Sequence, residues 1–447
     1  MPISNIYEIG KRSLLAYQSA IHTTSGNISN VNNEDYARRR VDLSQLVIGF
    51  SSLGLSLDET TRMRQQYAQN QIWQENQSLN EFETSGMLLK QIENIFAEDT
   101  DSGLSNLLNQ FWNSWNDLAN DPESEYARAL VRDKGVLIAN SFQRMYNDFR
   151  GMQDQIRPQV SVLVNDINQK TTQLADINQR LKLEQSPDLL DKRDKLITEL
   201  SSLIDIKIKE KEGGQMNIYA DGYLLVGDEY AYHIEAVVEN RDGEDIINIH
   251  YQDSAKQLSV GSGQLKGLLD VHNNKIPSYL AKLDALAIQL AQDVNAIHRN
   301  GQNLSGTTDI PFFEEPVSGA ADFRVNAAIE QNAVLVASRL PTENAGSGSV
   351  AQSISDLRFQ KNMNGASMDE YYHTMLADIG NKIYESDFME ESQRNIVLQL
   401  QNQKESITGV SLDEEMTRLV QFQQAYQAAA RIVNTVDEMV DTVLNMG

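Results

Sequence analysis

Cysteine is absent from this chain of 447 residues. That excludes disulfide scaffolds, cysteine zinc sites and thiol nucleophiles, and it suits a chain that crosses oxidising compartments unfolded. No apolar run is long enough to cross a bilayer, so no membrane insertion is expected. The start, Met1-Pro2-Ile3-Ser4-Asn5-Ile6, carries no charged-then-apolar leader. Any export is therefore expected to proceed without leader cleavage. Positive charge is scarce: 38 Lys and Arg stand against 63 Asp and Glu, a net −25. Such a surface opposes nucleic acid and anionic lipid, although solubility alone would account for the acidity equally well.

Clustered chemistry is missing too. His22, His233, His250, His272, His298 and His373 are scattered, with no pair at zinc-ligand spacing. Asp99-Thr-Asp101-Ser-Gly103 opens like a calcium loop but places Gln110 where a bidentate Glu is needed, and it reads as a helix-breaking turn. Gly261-Ser-Gly263-Gln-Leu-Lys-Gly267 fits neither the dinucleotide nor the P-loop order, and it reads as a turn opening a helix. No carboxylate pair stands out for glycoside hydrolysis. The expectation is no enzyme, no catalytic residue, no cofactor and no metal.

What the chain does have is periodicity, and most of it lies at the ends. Ile3, Tyr7, Gly10, Leu14, Tyr17, Ile21, Thr24, Ile28 and Val31 alternate four and three, the period of a coiled-coil seam, with Gly10 and Thr24 as weak members. Leu419, Phe422, Tyr426, Ala429, Val433, Val436, Val440 and Val443 alternate three and four without a polar break, and Ser411 with Glu414 fits a capping box before them. Neither helix can bury its stripe alone. They are expected to pack together, or against copies in neighbouring subunits. A plain bundle whose core they complete satisfies the same period.

Between the ends, helical spacing runs through 60–96, 104–118, 123–155, 158–183, 187–203, 264–299 and 368–408. Asp121-Pro122-Glu123 reads as a helix start with Asp as N-cap. The period changes to two at Ile204, Ile206 and Ile208, and Gly213-Gly214, Asp221-Gly222 and Asp242-Gly243 are hairpin turn signals. The fold class is thus mainly α with a small β insert: an elongated helical bundle, coiled-coil terminal helices and an antiparallel β subdomain. Its parts are 1–32 plus 412–447 as a terminal coiled-coil assembly domain, 33–203 plus 264–411 as the helical bundle with 300–350 irregular, and 204–263 as the β subdomain. Arg38-Arg39-Arg40 is the one notable basic run, either a solvated face or a contact for an acidic partner subunit.

Asn27-Ile-Ser-Asn30-Val-Asn32 and Ser406-Ile-Thr-Gly409-Val-Ser-Leu-Asp413-Glu414-Glu415-Met416, followed by Phe422-Gln-Gln-Ala425-Tyr426, resemble the terminal signatures of the flagellar rod, hook and hook-associated axial proteins. Leu118-Ala-Asn-Asp121-Pro122-Glu123-Ser124, Pro187-Asp188-Leu-Leu-Asp191-Lys-Arg193-Asp194, Gly263-Gln-Leu-Lys-Gly267 and Val294-Asn295-Ala-Ile-His298 narrow the likeness to the hook-associated branch. The resemblance implies a secreted structural subunit between hook and filament, exported by the flagellar type III apparatus. It would polymerise with itself as a ring through its terminal helices. Implied partners are the hook subunit, the second hook–filament junction protein and a cytoplasmic export chaperone on the C-terminal helix. Another axial subunit, a hook or distal rod protein, is the alternative. The chain departs from the family at Asn33-Glu34-Asp35-Tyr36, where relatives place a Gly-containing turn. It also has only a brief stretch between Phe313 and Ser353, so the outer β domain of longer relatives is expected to be missing or vestigial.

A far-ultraviolet circular dichroism spectrum dominated by helix is expected, since hook-type interiors read as mostly β. A strand-dominated spectrum would favour the hook alternative.

Overall fold

A computed structural model describes residues 3–33, 35–48, 51–96, 103–241, 243–254 and 256–445. The chain leaves helix α1 (Ile3–Ser29) for strands β1 (Arg39–Ile48) and β2 (Ser51–Arg62), then enters α2 (Gln66–Ile95), α3 (Leu104–Asn120), α4 (Glu125–Leu183) and α5 (Pro187–Leu203). Six short strands follow: β3 (Lys207–Glu210), β4 (Met216–Ala220), β5 (Tyr223–Val226), β6 (Ile234–Arg241), β7 (Glu244–Tyr251) and β8 (Gln257–Leu258). Helix returns as α6 (Gln264–Asp270), α7 (Ile276–His298), α8 (Ala327–Gln331), α9 (Ser349–Ser355), α10 (Met368–Thr408) and α11 (Leu412–Asn445). The mainly α class with small antiparallel sheets is the one the sequence implies.

Three details differ from the sequence reading. The β1–β2 hairpin lies inside the stretch read as helical bundle, and α2 starts at Gln66 rather than near residue 60. The β insert is two three-stranded sheets, β3-β4-β5 and β6-β7-β8, rather than one. Finally, α4 is a single helix of 59 residues with Pro158 inside it, about 90 Å long at 1.5 Å per residue. Pro158 removes its bond to the carbonyl of residue 154, but both positions lie on the exposed face. Met152, Ile156, Val160 and Val164 on the opposite face are buried and hold the helix together. Its N-cap is Ser124, whose hydroxyl accepts from the Ala127 N–H, while Asp121 ends α3. The Asp99–Gly103 turn lies outside the described residues except for Gly103, which precedes α3.

Two of the β turns follow their signals, and Asp242 of the third lies outside the described residues. Asp221 and Gly222 both take positive φ between β4 and β5, the hairpin geometry that Asp-Gly favours. Arg150 and Arg157 of α4 bind Glu244 and Asp245 of β7 at 2.7 and 2.8 Å, tying the second sheet to the long helix.

The irregular 300–350 segment is ordered by side chains instead of a sheet. Phe312, Phe313 and Phe323 stack edge-on or tilted on one another at centroid distances of 4.5–4.9 Å, and against Phe111, Trp115 and Phe142 at 5.0–6.0 Å. Asn295 donates to the Phe313 carbonyl and accepts from its N–H. His298 is fully buried; its Nδ1 meets the Ile310 carbonyl at 2.7 Å and its Nε2 accepts from the Ala337 N–H at 2.9 Å. These partners specify the neutral Nδ1–H tautomer, since Nε2 must keep its lone pair.

Burial pushes His298 down to about 4, with Arg128 adding repulsion against the charged form. The native state therefore binds fewer protons than the unfolded chain. This contribution is intact above the unfolded value near 6.5 and is lost as pH falls from there toward 4, by about 3 kcal/mol in total. Unfolding midpoints measured between pH 7.5 and 4 should fall accordingly, and His298→Gln should flatten part of that slope. Buried His272, also lowered by burial, would retain the rest.

Candidate assembly interface

The terminal helices pack antiparallel on each other. A Cβ placed on Gly10 would stand 2.7 Å from Val433 Cγ2, so glycine is what lets α11 approach there. At the other end Asn27 meets Glu415. The buried positions of α1 are small or polar (Gly10, Ala16, Ala20, Thr24 and Asn27), those of α11 are Glu415, Ala429 and Val436, and α1 also packs on the β1–β2 hairpin. The two weak members of the α1 stripe are therefore its interior.

The bulky members stand to the side. Leu14, Tyr17, Ile21 and Ile28 are half-buried, as are Leu419, Phe422 and Val433, whereas Tyr7, Val31, Tyr426, Val440 and Val443 are exposed. Ile3 opens α1, and its side chain lies outside the described set. Leu412, Met416, Val420, Ile432, Met439 and Leu444 add further exposed apolar surface along α11. An open groove of about 500 Å³ runs between Tyr7, Val436, Val440 and Leu444. Apolar exposure repeated along the whole pair in this way marks an interaction surface rather than a finished exterior. Ala16 and Ala20 fall outside the apolar stripe, and Asn27 stands in the N-terminal signature without being part of that stripe. Small residues recurring every three or four positions were the available signal.

Beneath the pair lies a polar node. Asn27 Nδ2 donates to the Arg39 carbonyl and to Glu415 Oε2, both at 2.8 Å. Its Oδ1 accepts from the Arg39 N–H and from the Tyr36 hydroxyl. The amide is saturated, as a buried amide must be. Arg38 grips the other Glu415 oxygen through Nε at 2.9 Å and Nη2 at 2.7 Å, and it also holds Glu414 at 2.5 Å. That hydrogen bond keeps the Glu414 carboxyl below the usual range. The Arg38 N–H bonds the Thr408 carbonyl, and its own carbonyl accepts from Met63. In the turn into this node, whose Glu34 lies outside the described residues, the Asn33 side chain accepts from the Asp35 N–H and the Asn33 carbonyl accepts from Tyr36.

The basic run is thus largely internal. Arg39 binds Asp188 and Asp191, and Arg62 binds Asp191 at 2.7 Å and Asp194 at 2.9 Å. Arg193, fully buried, pairs with Asp194 at 2.6 Å and donates to the Gly214 carbonyl. Only Arg40 is exposed, beside Asp42. Burial alone would raise the Asp194 carboxyl, but Arg193, Arg62 and Arg64 hold it below the usual range. The Pro187–Asp194 motif therefore supplies the carboxylates that anchor the hairpin base to α5.

The comparisons with known proteins fit this architecture. Residues 89–313, just over half the chain, match the model of the flagellar hook-associated protein FlgK helical domain. The chain belongs to the FlgK family. It is a flagellar hook-associated protein of the hook–filament junction. Residues 402–446 also match the flagellar basal body rod FlgEFG protein C-terminal model. Flagellar hook-associated protein 1 of Bacillus subtilis is 29% identical, over 98% of this chain and 97% of that one. The Salmonella typhimurium protein of that name is 24% identical over 99% and 100%. The fold resembles the flagellar hook junction protein FlgK from Burkholderia pseudomallei, with a TM-score of 0.68 and 14% identity, covering 76% of this chain and all of that one. Among the described residues, no group of three or more His, Cys, Asp or Glu could hold a metal ion, and no helix is long and apolar enough to span a membrane.

Asp194→Ala should destabilise the body by about 3–5 kcal/mol, because it leaves the buried Arg193 charge without its carboxylate. Chemical denaturation of the full chain would measure it. Asp188→Ala, at an exposed carboxylate, should cost well under about 1 kcal/mol.

Proposed function

We propose that the chain is built into the junction through its α1/α11 pair, with 1–32 and 412–447 acting together as the assembly domain on the helical body. The observation that carries this reading is the exposed apolar face along that pair. Each bulky side chain there gains about 1.5–3 kcal/mol on full burial. A ring of neighbouring copies would supply that burial, offsetting the entropy of ordering the helices. The role is structural, with no catalytic step.

The match of 402–446 to a rod-protein segment supports a division of labour. In this reading the terminal pair carries a mode of packing shared along the flagellar axis, and the helical body carries the position. Neighbours would be the hook subunit on one side and the second hook–filament junction protein on the other. Before export, the apolar face of α11 is the surface a cytoplasmic chaperone would cover, and type III export would deliver the chain.

Deleting 412–447 should leave a soluble, folded body but abolish incorporation. Immunogold labelling of flagella from cells carrying only the truncation checks this. Label at the hook–filament boundary would refute the role of the pair.

A further inference from the structure

The small-residue seam leaves one matter open that the polar node closes. Gly10, Ala16, Ala20 and Thr24, the small buried positions of α1, leave a smooth track along that helix. A slip of one heptad, about 10.5 Å at 1.5 Å per residue, would again set small residues against apolar ones. Packing along such a track discriminates weakly between registers. The node does not. Glu415, 1% exposed, is satisfied by Asn27 on one oxygen and Arg38 on the other. In any slipped register that carboxylate would be buried without either partner, or another side chain would face the Asn27 amide.

We propose that Asn27, Arg38 and Glu415 form a register lock that fixes the axial alignment of α11 on α1, so that every subunit presents the same apolar face to its neighbours. The inference deepens the assembly reading and rests on it. Buried polar groups in helical seams act in this way best of all: they contribute little net stability but reject misalignment. Arg38 gives the lock an absolute reference, because its N–H is tied to the end of α10 at Thr408. The pair is therefore indexed to the body as well as to itself. The geometry of the two ends agrees, since Gly10 to Asn27 spans as many residues, within one, as Glu415 to Val433.

The absence of cysteine makes the test direct. Full-length chains would carry Gly10→Cys with Val433→Cys for the native register, or Gly10→Cys and Val433→Ala, which clears room for the added Cβ, with Tyr426→Cys or Val440→Cys for slips of one heptad either way. Each is oxidised mildly, both as purified chain and in isolated flagella, and internal disulfides are read by gel mobility and mass spectrometry. With the node intact, only the 10–433 pair should close. In an Asn27→Leu/Glu415→Leu background, where Arg38 keeps Glu414, the slipped pairs should rise to yields comparable with the native one. A sole 10–433 product in both backgrounds overturns the lock, and so does the loss of every cross-link, which would make the node a source of affinity rather than register. Neither result touches the assembly reading, which fails separately if the chain lacking 412–447 is incorporated.

Discussion

A single buried amide constrains the rest of the molecule. Asn27 spends both donors and both acceptor positions on groups from the linker, β1 and α11. Around it converge the end of α1, the start of β1, the end of β2, the end of α10 and the start of α11, with α5 supplying the carboxylates for the next shell of arginines. Removing a partner from such a network leaves a charge or an amide buried and unmet, which costs more than the contact contributed. The elements meeting there are separated by hundreds of residues in sequence. Polar satisfaction at one point substitutes for a continuous apolar core between the terminal pair and the body.

Much of the helical plan was legible because it is written in local patterns. Phe111, Trp112, Trp115 and Leu118 fall at helical spacing and are all buried in α3. Pro187 sits at the first turn of α5 as its φ demands. The Asp-Gly and Gly-Gly turns mark the hairpins of the insert. Such signals rest on neighbours within a turn or two of the chain.

What escaped depends on contacts between distant segments. Pro158 looked like a boundary, yet packing on the opposite face carries α4 through it. The β1–β2 ribbon gave no strand signal strong enough to read, and its base is fixed by Arg39 and Arg62 reaching α5. The stripe positions of the terminal helices were visible, but which of them would be interior was not. The apolar period marks bulky residues, whereas the buried positions are Gly10 and Thr24, its weakest members, and Ala16 and Ala20, which the period counts as gaps. The arginine run posed a similar problem: three like charges in sequence give no hint that their carboxylates lie at 188, 191, 414 and 415.

The antiparallel closure of the chain ends also decides how the molecule would carry mechanical load. Ser4 and Leu444 share one groove, so the two termini emerge at the same far end of the pair, while the node sits at the opposite end. A pull between that far end and the body runs along both helices in parallel. It then reaches the body through the covalent links of α1 to β1 and of α11 to α10, which the Arg38 ion pairs to Glu414 and Glu415 tie together. A force that separates the two termini would instead peel the seam open from its free end, one small residue at a time. The same fold therefore resists load along its axis and opens most readily from its tip.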